Sequence, residues 1–163
     1  MARESVFYSF HFDNDVFRVQ QIRNMGVVDG TEPVSPNDWE QIRRQGDAAV
    51  KRWIDNNMAY KRCAVVLIGT ETYRRPYVLY EIEKAWKEKR GLLGIYINRL
   101  KCPKNGVCAK GLNPFSYVHS GSVIPISVYL TVHEPNFWDA YGDIKSNMAS
   151  WVNRAIEEAA TRR

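Results

Sequence analysis

Apolar, β-branched and aromatic residues cluster along this chain in four short runs, which predict four β-strands. The predicted strands span residues 5–11, 62–69, 92–98 and 122–130. Two of these runs, at residues 64–68 and 92–97, stay apolar without alternating with polar positions. Strands of that kind are buried on both faces, so the pattern indicates a parallel sheet covered by helices.

The segments at the two ends of the chain carry apolar residues at helical spacing. A first helix is predicted over residues 15–23, with Asp13 or Asn14 as its cap. The last predicted helix runs from Ile144 to about Ala160 and has an apolar stripe along one side. Both segments therefore have one face suited to packing on the sheet.

Two prolines predict helix starts in the middle of the chain, because proline is favoured at the first helical position. Ser35 precedes Pro36 and supplies a capping hydroxyl for a second helix, which Gly46 is expected to break in two. Pro76 is expected to open a third helix, whose apolar stripe begins at Val78. The middle of the chain is thus predicted to contain two helical segments, the first of them interrupted.

Strands that alternate with helices predict a flavodoxin-like α/β fold, a three-layer sandwich with a mostly parallel central sheet. The 163 residues fit one domain, and no linker or repeat divides residues 1–163. In an open sheet of this kind, ligands bind beyond the carboxyl ends of the strands, next to the point where the strand order reverses. We therefore expect the functional residues where the strands end.

Composition places the chain among ordinary globular proteins, with 45% hydrophobic and 25% charged residues. Its longest apolar runs are far shorter than the roughly 20 residues of a membrane helix, and its start lacks the pattern of a secretory signal. We therefore expect a cytoplasmic protein without a membrane partner. The net charge of +5 is scattered along the chain and does not favour a nucleic-acid partner.

The cysteine and histidine pattern argues against a metal site. The cysteines are Cys63, Cys102 and Cys108, and their spacing matches no common zinc motif. No histidine and cysteine residues are spaced closely enough to form a ligand group. We expect reduced thiols and no bound metal.

The ends of the first two long strands and the start of the third helix converge on one rim of the predicted sheet. That rim has no Gly-x-Gly-x-x-Gly fingerprint, no Walker loop and no Gly-x-Ser-x-Gly elbow, which argues against hydride transfer, P-loop chemistry and serine hydrolysis. Asp13 and Asp15 resemble the acidic pocket of a receiver domain. Thr70 and Glu71, however, follow the strand that would have to end in a phosphoacceptor aspartate, so the comparison fails.

Four segments of the chain resemble the TIR-like proteins and, within them, the NAD⁺-cleaving TIR-like enzymes (ThsB) of the Thoeris anti-phage system. The resemblance covers nearly the whole chain and is carried by residues 6–16, 48–54, 65–69 and 72–82. The last segment is the most telling, because TIR enzymes place their catalytic glutamate in a motif similar to aromatic-Val-x-x-Glu-Ile. Tyr77-Val-Leu-Tyr-Glu81-Ile82 matches that motif here, so the resemblance implies that Glu81 is the catalytic residue.

The same resemblance implies a substrate-binding wall along the first strand and the loop after it. The candidate substrate-binding residues, on that loop and on the same rim, are Phe10, His11, Asp13, Asn14, Tyr73 and Tyr77. Phe12 is instead assigned to the core, because an aromatic residue next to a strand usually packs there. Two roles stay open for Arg74 and Arg75: their guanidinium groups can neutralise a pyrophosphate, or they can face solvent.

A single glutamate suits the chemistry that the resemblance implies. When the nicotinamide–ribose bond of NAD⁺ breaks, nicotinamide leaves as a neutral ring, so no general acid is required, while positive charge develops on the ribose. One carboxylate near the ribose can stabilise that charge. The resemblance implies an ADP-ribose signal, expected to be cyclic, that activates a partner effector protein, with NAD⁺ as substrate and no further cofactor.

Three alternatives remain from the residues alone. A glutamate near a helix start can simply pair with a lysine one turn on, here Lys84, without a catalytic role. The domain can be a catalytically silent TIR-like module that binds a nucleotide or a protein. A nucleoside deoxyribosyltransferase also uses a glutamate, as a covalent nucleophile, in a similar sandwich. The sequence leaves open the product isomer, the trigger, homo-oligomerisation and the role of the insertion at residues 102–115.

Overall fold

The computed structural model describes residues 3–30, 35–103 and 106–162. The strands in these ranges are β1 (Ser5–Ser9), β2 (Asp29–Gly30), β3 (Cys63–Ile68), β4 (Gly91–Tyr96) and β5 (Val132–His133). They form one sheet in the order β2-β1-β3-β4-β5, and every neighbouring pair is parallel. The parallel sheet predicted from the buried apolar runs is confirmed.

Helices cover both faces of this sheet. Those in the described residues are α1 (Phe12–Asn24), α2 (Pro36–Arg44), α3 (Asp47–Met58), α4 (Pro76–Lys87) and α5 (Ala140–Thr161). One apolar cluster joins the sheet to α1 and α5 through residues such as Ile22 and Met148. A second cluster joins the other face to α3 and α4 through residues such as Ile54 and Ile82. The predicted three-layer α/β sandwich is therefore confirmed.

The side chains of β1 point alternately to the two faces of the sheet. Val6 and Tyr8 belong to the core beside α1 and α5, whereas Phe7 belongs to the core beside α3 and α4. Ser9 lies two residues after Phe7, faces the same layer and is completely buried. The strand thereby places a polar side chain underneath α4.

The predicted starts and the predicted break of the middle helices are confirmed. The Ser35 side chain caps α2 by accepting a hydrogen bond from the Asp38 N–H at 3.2 Å. Gly46 has a φ of +101°, a conformation that side chains disfavour, and it separates α2 from α3. Pro76 occupies the first turn of α4, as its fixed φ favours.

The first helix begins earlier than the sequence predicts. α1 starts at Phe12, with His11 at its N-cap position, so Asp13 and Asn14 lie inside the helix and do not cap it. The backbone carbonyl of His11 accepts the first helical hydrogen bond, from the Asp15 N–H at 3.0 Å. Acidic residues are favourable in a first turn without capping it, because the N-terminus carries the positive end of the helix dipole.

The strand predicted at residues 122–130 is wrong. The segment forms turns and a short 3₁₀ helix, Ile126–Val128, and the sheet instead receives the two-residue strand β5. Pro125 has no N–H to donate to a sheet. Val123 is 93% exposed, and Ile126 is the buried residue of this segment. The segment therefore lies outside the sheet, although it is rich in apolar residues.

The strand β2 is absent from the sequence prediction because its two residues, Asp29 and Gly30, have no apolar pattern. Gly30 is required there by close packing. A Cβ at this position would lie 2.1 Å from Cε2 of the Tyr8 ring on the neighbouring strand. At this edge of the sheet, β2 pairs with β1 through its backbone, and Gly30 leaves room for the Tyr8 ring.

Candidate active site

A cavity lies where the strand order of the sheet reverses. From β1 the sheet continues to β2 on one side and to β3 on the other. The cavity has a volume of about 240 Å³ and is bounded by the residues after β1, by α2 and α3, and by the start of α4. This position agrees with the rule for ligand binding in open α/β sheets.

Glu81 lies in the second turn of α4 and lines the cavity. α4 packs on the sheet through Val78, Ile82 and Ala85. Because Glu81 follows Val78 by three residues, it shares this inward face, and only 7% of its surface is exposed. Its Oε1 accepts a hydrogen bond of 2.7 Å from the hydroxyl of Ser9.

The surroundings of Glu81 favour its neutral form. Burial raises the pKa of Glu81 to about 8, and the hydrogen bond from Ser9 opposes this rise. Lys84 does not pair with Glu81, because its Nζ lies 2.7 Å from Glu88 Oε2 and 3.4 Å from Asp55 Oδ1. The simple surface ion pair considered for Glu81 is therefore excluded.

Some of the predicted substrate-binding residues lie with Glu81 on the cavity wall and others do not. Those on the wall are Phe10, His11, Asp13 and Tyr77. Asn14 lies outside the lining and donates from Nδ2 to Glu71 Oε2 at 3.2 Å. Tyr73 also lies outside it and packs against the ring of Tyr117, with 5.5 Å between centroids.

One part of the cavity lining is an aromatic wall, which consists of Phe10, Phe12, Trp39 and Trp53. The ring centroids of successive members are 6.0, 5.8 and 5.7 Å apart. Phe12 is half-buried and faces the cavity, so its assignment to the core is wrong. Phe12 is the first residue of α1, and its ring lies in the aromatic wall of the cavity.

Positive charge reaches the cavity from two elements. Arg43 of α2 lines it, with its Nη1 3.8 Å from Asp13 Oδ2. Arg75, immediately before α4, also lines it, with its Nη2 3.5 Å from Glu71 Oε2. Arg74 contacts Glu71 as well but lies outside the lining. Of the two consecutive arginines, it is Arg75 that faces the cavity.

His11 presents a neutral ring to the same cavity. Its side chain is nearly buried, and its Nδ1 has no hydrogen-bond partner among the described residues. Burial lowers the pKa of His11, and the nearby Arg75 lowers it further. The imidazole is therefore uncharged at neutral pH and can hydrogen-bond to a ligand.

Sequence reasoning missed Ser9, Trp39 and Arg43 at this site. Ser9 had a weak signal, because it is a polar residue in an otherwise apolar strand, two positions after Phe7. Trp39 belongs to the apolar side of the second predicted helix, and such a position does not by itself indicate a binding site. No feature of the sequence distinguishes Arg43 from the other basic residues.

The described part of the insertion covers the end of β3. Thr70 donates from its hydroxyl to the carbonyl of Ala109 at 2.6 Å. Gly111 lies directly on the backbone there, because a Cβ at this position would come within 2.2 Å of the Gly69 carbonyl oxygen. Residues 104–105 lie outside the described residues. We call residues 98–113, as far as they are described, the covering segment.

A buried ion pair fastens the covering segment to α1. Arg18 Nη1 lies 2.9 Å from Asp15 Oδ1, and both side chains are almost completely buried. Arg18 also donates from Nε to the Leu100 carbonyl and from Nη2 to the Gly106 carbonyl, each at 2.8 Å. The carboxyl group of Asp15 therefore pairs with an arginine that holds the covering segment in place.

Within the described ranges, no group of three or more histidine, cysteine, aspartate or glutamate side chains could hold a metal ion. None of the helices in those ranges is both long and apolar enough to cross a membrane.

Comparison with known proteins identifies the family. The family model described as "Thoeris protein ThsB, TIR-like domain" matches residues 7–102. A relative from Bacillus cereus (strain MSX-D12), named "Putative cyclic ADP-D-ribose synthase ThsB1", is 31% identical over a 145-residue alignment, and the match covers 85% of this chain and 76% of the relative. The chain belongs to the Thoeris ThsB TIR-like family.

The ThsB TIR-like match contains the whole lining of the cavity, whose residues run from Phe7 to Glu81. It ends at residue 102, so Ala109 and Gly111 of the covering segment lie beyond it. The resemblance to TIR-like Thoeris proteins, which four short segments indicated, is confirmed.

Proposed function

We propose that the protein binds NAD⁺ in the cavity and breaks its nicotinamide–ribose bond, with Glu81 as the catalytic residue. One observation carries the proposal: Glu81 is a buried carboxyl group on the cavity wall, and no described basic side chain pairs with it. Buried carboxyl groups without a cation are costly and are found preferentially at functional sites. Membership of the family and the name of the Bacillus cereus relative support the same reaction.

The substrate supplies the positive charge that the cavity lacks beside Glu81. The nicotinamide ring of NAD⁺ is cationic, and positive charge spreads onto the ribose as the bond from C1′ to the ring nitrogen lengthens. When this bond breaks, its electron pair goes to the nitrogen, and nicotinamide leaves neutral without needing a proton. A fixed carboxylate stabilises the charge on the ribose more strongly than it stabilises the ground state, and this difference accelerates the reaction.

Glu81 has to be ionised for this role. With a pKa of about 8, a minority of the empty protein carries the carboxylate at neutral pH. A cation bound next to a carboxyl group favours its charged form and lowers its pKa. Binding of NAD⁺ therefore promotes the ionisation that the reaction requires.

The rest of the lining suits the other parts of a dinucleotide. The aromatic wall offers ring faces to the adenine base, a contact worth about 1–3 kcal/mol per base. Arg43 and Arg75 offer guanidinium groups to the pyrophosphate. His11 offers its neutral imidazole ring to the ribose. These groups line one cavity with Glu81, as the binding of a single dinucleotide beside Glu81 requires.

The group that attacks C1′ decides the product. Water gives linear ADP-ribose, whereas a hydroxyl group or an adenine nitrogen of the same molecule gives a cyclic isomer. In each case the new bond to C1′ replaces the bond to nicotinamide, and one proton is released from the attacking group. Because the aromatic wall excludes water and holds the adenine inside the cavity, we expect a cyclic product. In this proposal the product is a diffusible signal, made in the cytoplasm, that activates a separate effector protein during anti-phage defence.

Release of nicotinamide tests the proposal. The purified protein is incubated with NAD⁺, alone and in lysate of phage-infected cells, and mass spectrometry follows nicotinamide and the ADP-ribose products. Glu81→Gln keeps the shape of the side chain but not its charge, so its rate should fall about 100-fold or more. Glu83→Gln is the matched control, because Glu83 lies on the same helix in an exposed pair with Lys87, 2.8 Å away.

Release by the parent and by Glu83→Gln, but not by Glu81→Gln, supports the proposal, and the product mass separates cyclic from linear ADP-ribose. Equal release by the parent and by Glu81→Gln would overturn the role of Glu81. Absence of release from the parent in both settings would instead favour the silent binding module. A sugar adduct trapped on Glu81 would favour the deoxyribosyltransferase mechanism.

A further inference from the structure

Ser9 donates the hydrogen bond that Glu81 accepts, and it does so from behind the cavity. It is the last residue of β1 and is completely buried. Its Oγ lies 2.7 Å from Glu81 Oε1. Glu81 belongs to the cavity lining, whereas Ser9 does not. One oxygen of the carboxyl group is therefore anchored to the sheet while the side chain itself faces the cavity.

The hydrogen bond connects two elements that the core holds in place. β1 pairs with β3, where Ser9 lies opposite Val66. α4 packs on the same face of the sheet through residues such as Ile82. A glutamate side chain has several rotatable bonds, and a free carboxylate would sample several positions. The contact with Ser9 removes this freedom where the reaction needs a fixed charge.

Other titratable or charged side chains face the same cavity without bonding to Glu81. They are His11, Asp13, Arg43, Arg75 and Tyr77. The two arginines among them each lie against a carboxylate of another residue. Among the described residues, Ser9 is thus the group that responds directly, through a hydrogen bond, when Glu81 loses its proton.

We propose that Ser9 is a positioning residue, whose hydroxyl holds Oε1 of Glu81 so that the carboxylate faces the ribose of the substrate and is stabilised once it is ionised. This inference rests on the function proposed above. A hydroxyl donates a stronger hydrogen bond to a carboxylate than to a neutral carboxyl group. Loss of the hydroxyl should therefore disturb both the placement and the ionisation of Glu81.

Three serine variants separate hydrogen bonding from packing. Ser9→Ala removes the hydroxyl, and Ser9→Cys fills the space with a weak donor. Ser5→Ala is the matched control, because it removes an exposed hydroxyl from the same strand. Rates of NAD⁺ cleavage give kcat and KM. Carbon NMR of glutamate-labelled protein follows the titration of Glu81, whose signal is identified by its absence from Glu81→Gln.

In Ser9→Ala and Ser9→Cys, the titration midpoint of Glu81 should move up by about one pH unit or more. Their kcat should fall about tenfold with little change in KM, because the substrate still binds while the charge is misplaced. Ser5→Ala should match the parent in both measurements.

An unchanged midpoint in Ser9→Ala would overturn the inference. So would a Ser9→Cys protein that behaves like the parent, because Ser9 would then act by filling space. If the parent itself releases no nicotinamide, the proposed function fails, but the NMR midpoints still decide whether Ser9 stabilises the ionised Glu81.

Discussion

Glu81 and Asp15 are two buried carboxyl groups at the same edge of the sheet, with opposite surroundings. Asp15 lies 2.9 Å from the guanidinium group of Arg18, which also binds backbone carbonyls of the covering segment. Glu81 accepts its hydrogen bond from Ser9 and lines a cavity. Burial raises the pKa of both carboxyl groups, but only for Asp15 does a neighbouring cation oppose the rise.

This difference separates a structural carboxyl group, that of Asp15, from the carboxyl group that we propose to be catalytic, that of Glu81. The charge of Asp15 is balanced inside the protein, where it fastens a loop to a helix. The charge of Glu81 would have no described counterpart in the empty protein, so ionisation there is unfavourable. In the function proposed above, NAD⁺ brings the positive charge that pairs with the Glu81 carboxylate. Glu81, whose charge has no described counterpart, is therefore the carboxyl group suited to binding a cation. We call it the unbalanced site and the Asp15–Arg18 pair the balanced site.

The largest expected effect on stability follows from breaking the balanced site. Arg18→Met leaves Asp15 buried without its cation, so the free energy of unfolding should fall by about 3–5 kcal/mol. Urea denaturation measures the change. Lys87→Met is the control, because it removes an exposed partner of Glu83 and should cost less than about 1 kcal/mol. Equal losses in the two variants would show that the buried pair has no special structural role.

The unbalanced site should make stability depend on pH. The pKa of Glu81 rises from 4.5 to about 8 in the folded protein, so between these values the folded state keeps a proton that the unfolded state has lost. The free energy of unfolding of the parent should therefore fall by a few kcal/mol from pH 5 to pH 8, relative to Glu81→Gln, and level off above. Parallel pH curves for the two proteins would contradict the raised pKa.

The same titration should appear in the kinetics. In the proposed mechanism the free enzyme ionises Glu81 before this residue stabilises the ribose, so kcat/KM for NAD⁺ should rise about tenfold between pH 7 and pH 9. Its midpoint should lie near the pKa of about 8. A profile that is flat or that falls over this range would argue against a carboxylate with this pKa as the reacting group.

The last of these effects concerns the aromatic wall. Trp39→Ala should raise the KM for NAD⁺ about tenfold and shift the product towards linear ADP-ribose, because the adenine loses a stacking surface and water gains access. Trp138→Ala is the matched control, since Trp138 is 88% exposed and lies outside the cavity lining. If both variants keep the KM and the product ratio of the parent, the wall does not hold the base.

The sequence predicted those parts of the molecule whose signals are local. The buried strands at residues 64–68 and 92–97, the helix start at Pro76 and the break at Gly46 each follow from a few neighbouring residues. The segment at residues 122–130 misled the prediction because apolar composition alone does not show whether a sheet has room to bury a strand.

At the site, the sequence placed Glu81 through a motif but missed the contacts that depend on distant residues. The hydrogen bond between Ser9 and Glu81 joins positions 72 residues apart. Tyr73 turns to Tyr117, which lies in a stretch without a recognisable pattern. Phe12 reaches the cavity only because α1 starts earlier than its capping residues suggest. Such contacts are set by how the elements meet, which a single sequence does not state.

The most direct measurement compares nicotinamide release per folded molecule for the parent, Glu81→Gln and Asp15→Asn, with the folded fraction of each taken from its unfolding curve. Glu81→Gln should lose release while remaining at least as stable as the parent at pH 8. Asp15→Asn should be less stable and yet release nicotinamide at the parent rate per folded molecule. Parent-like release by Glu81→Gln, or loss of release by folded Asp15→Asn, would contradict the assignment of the reaction to the unbalanced carboxyl group.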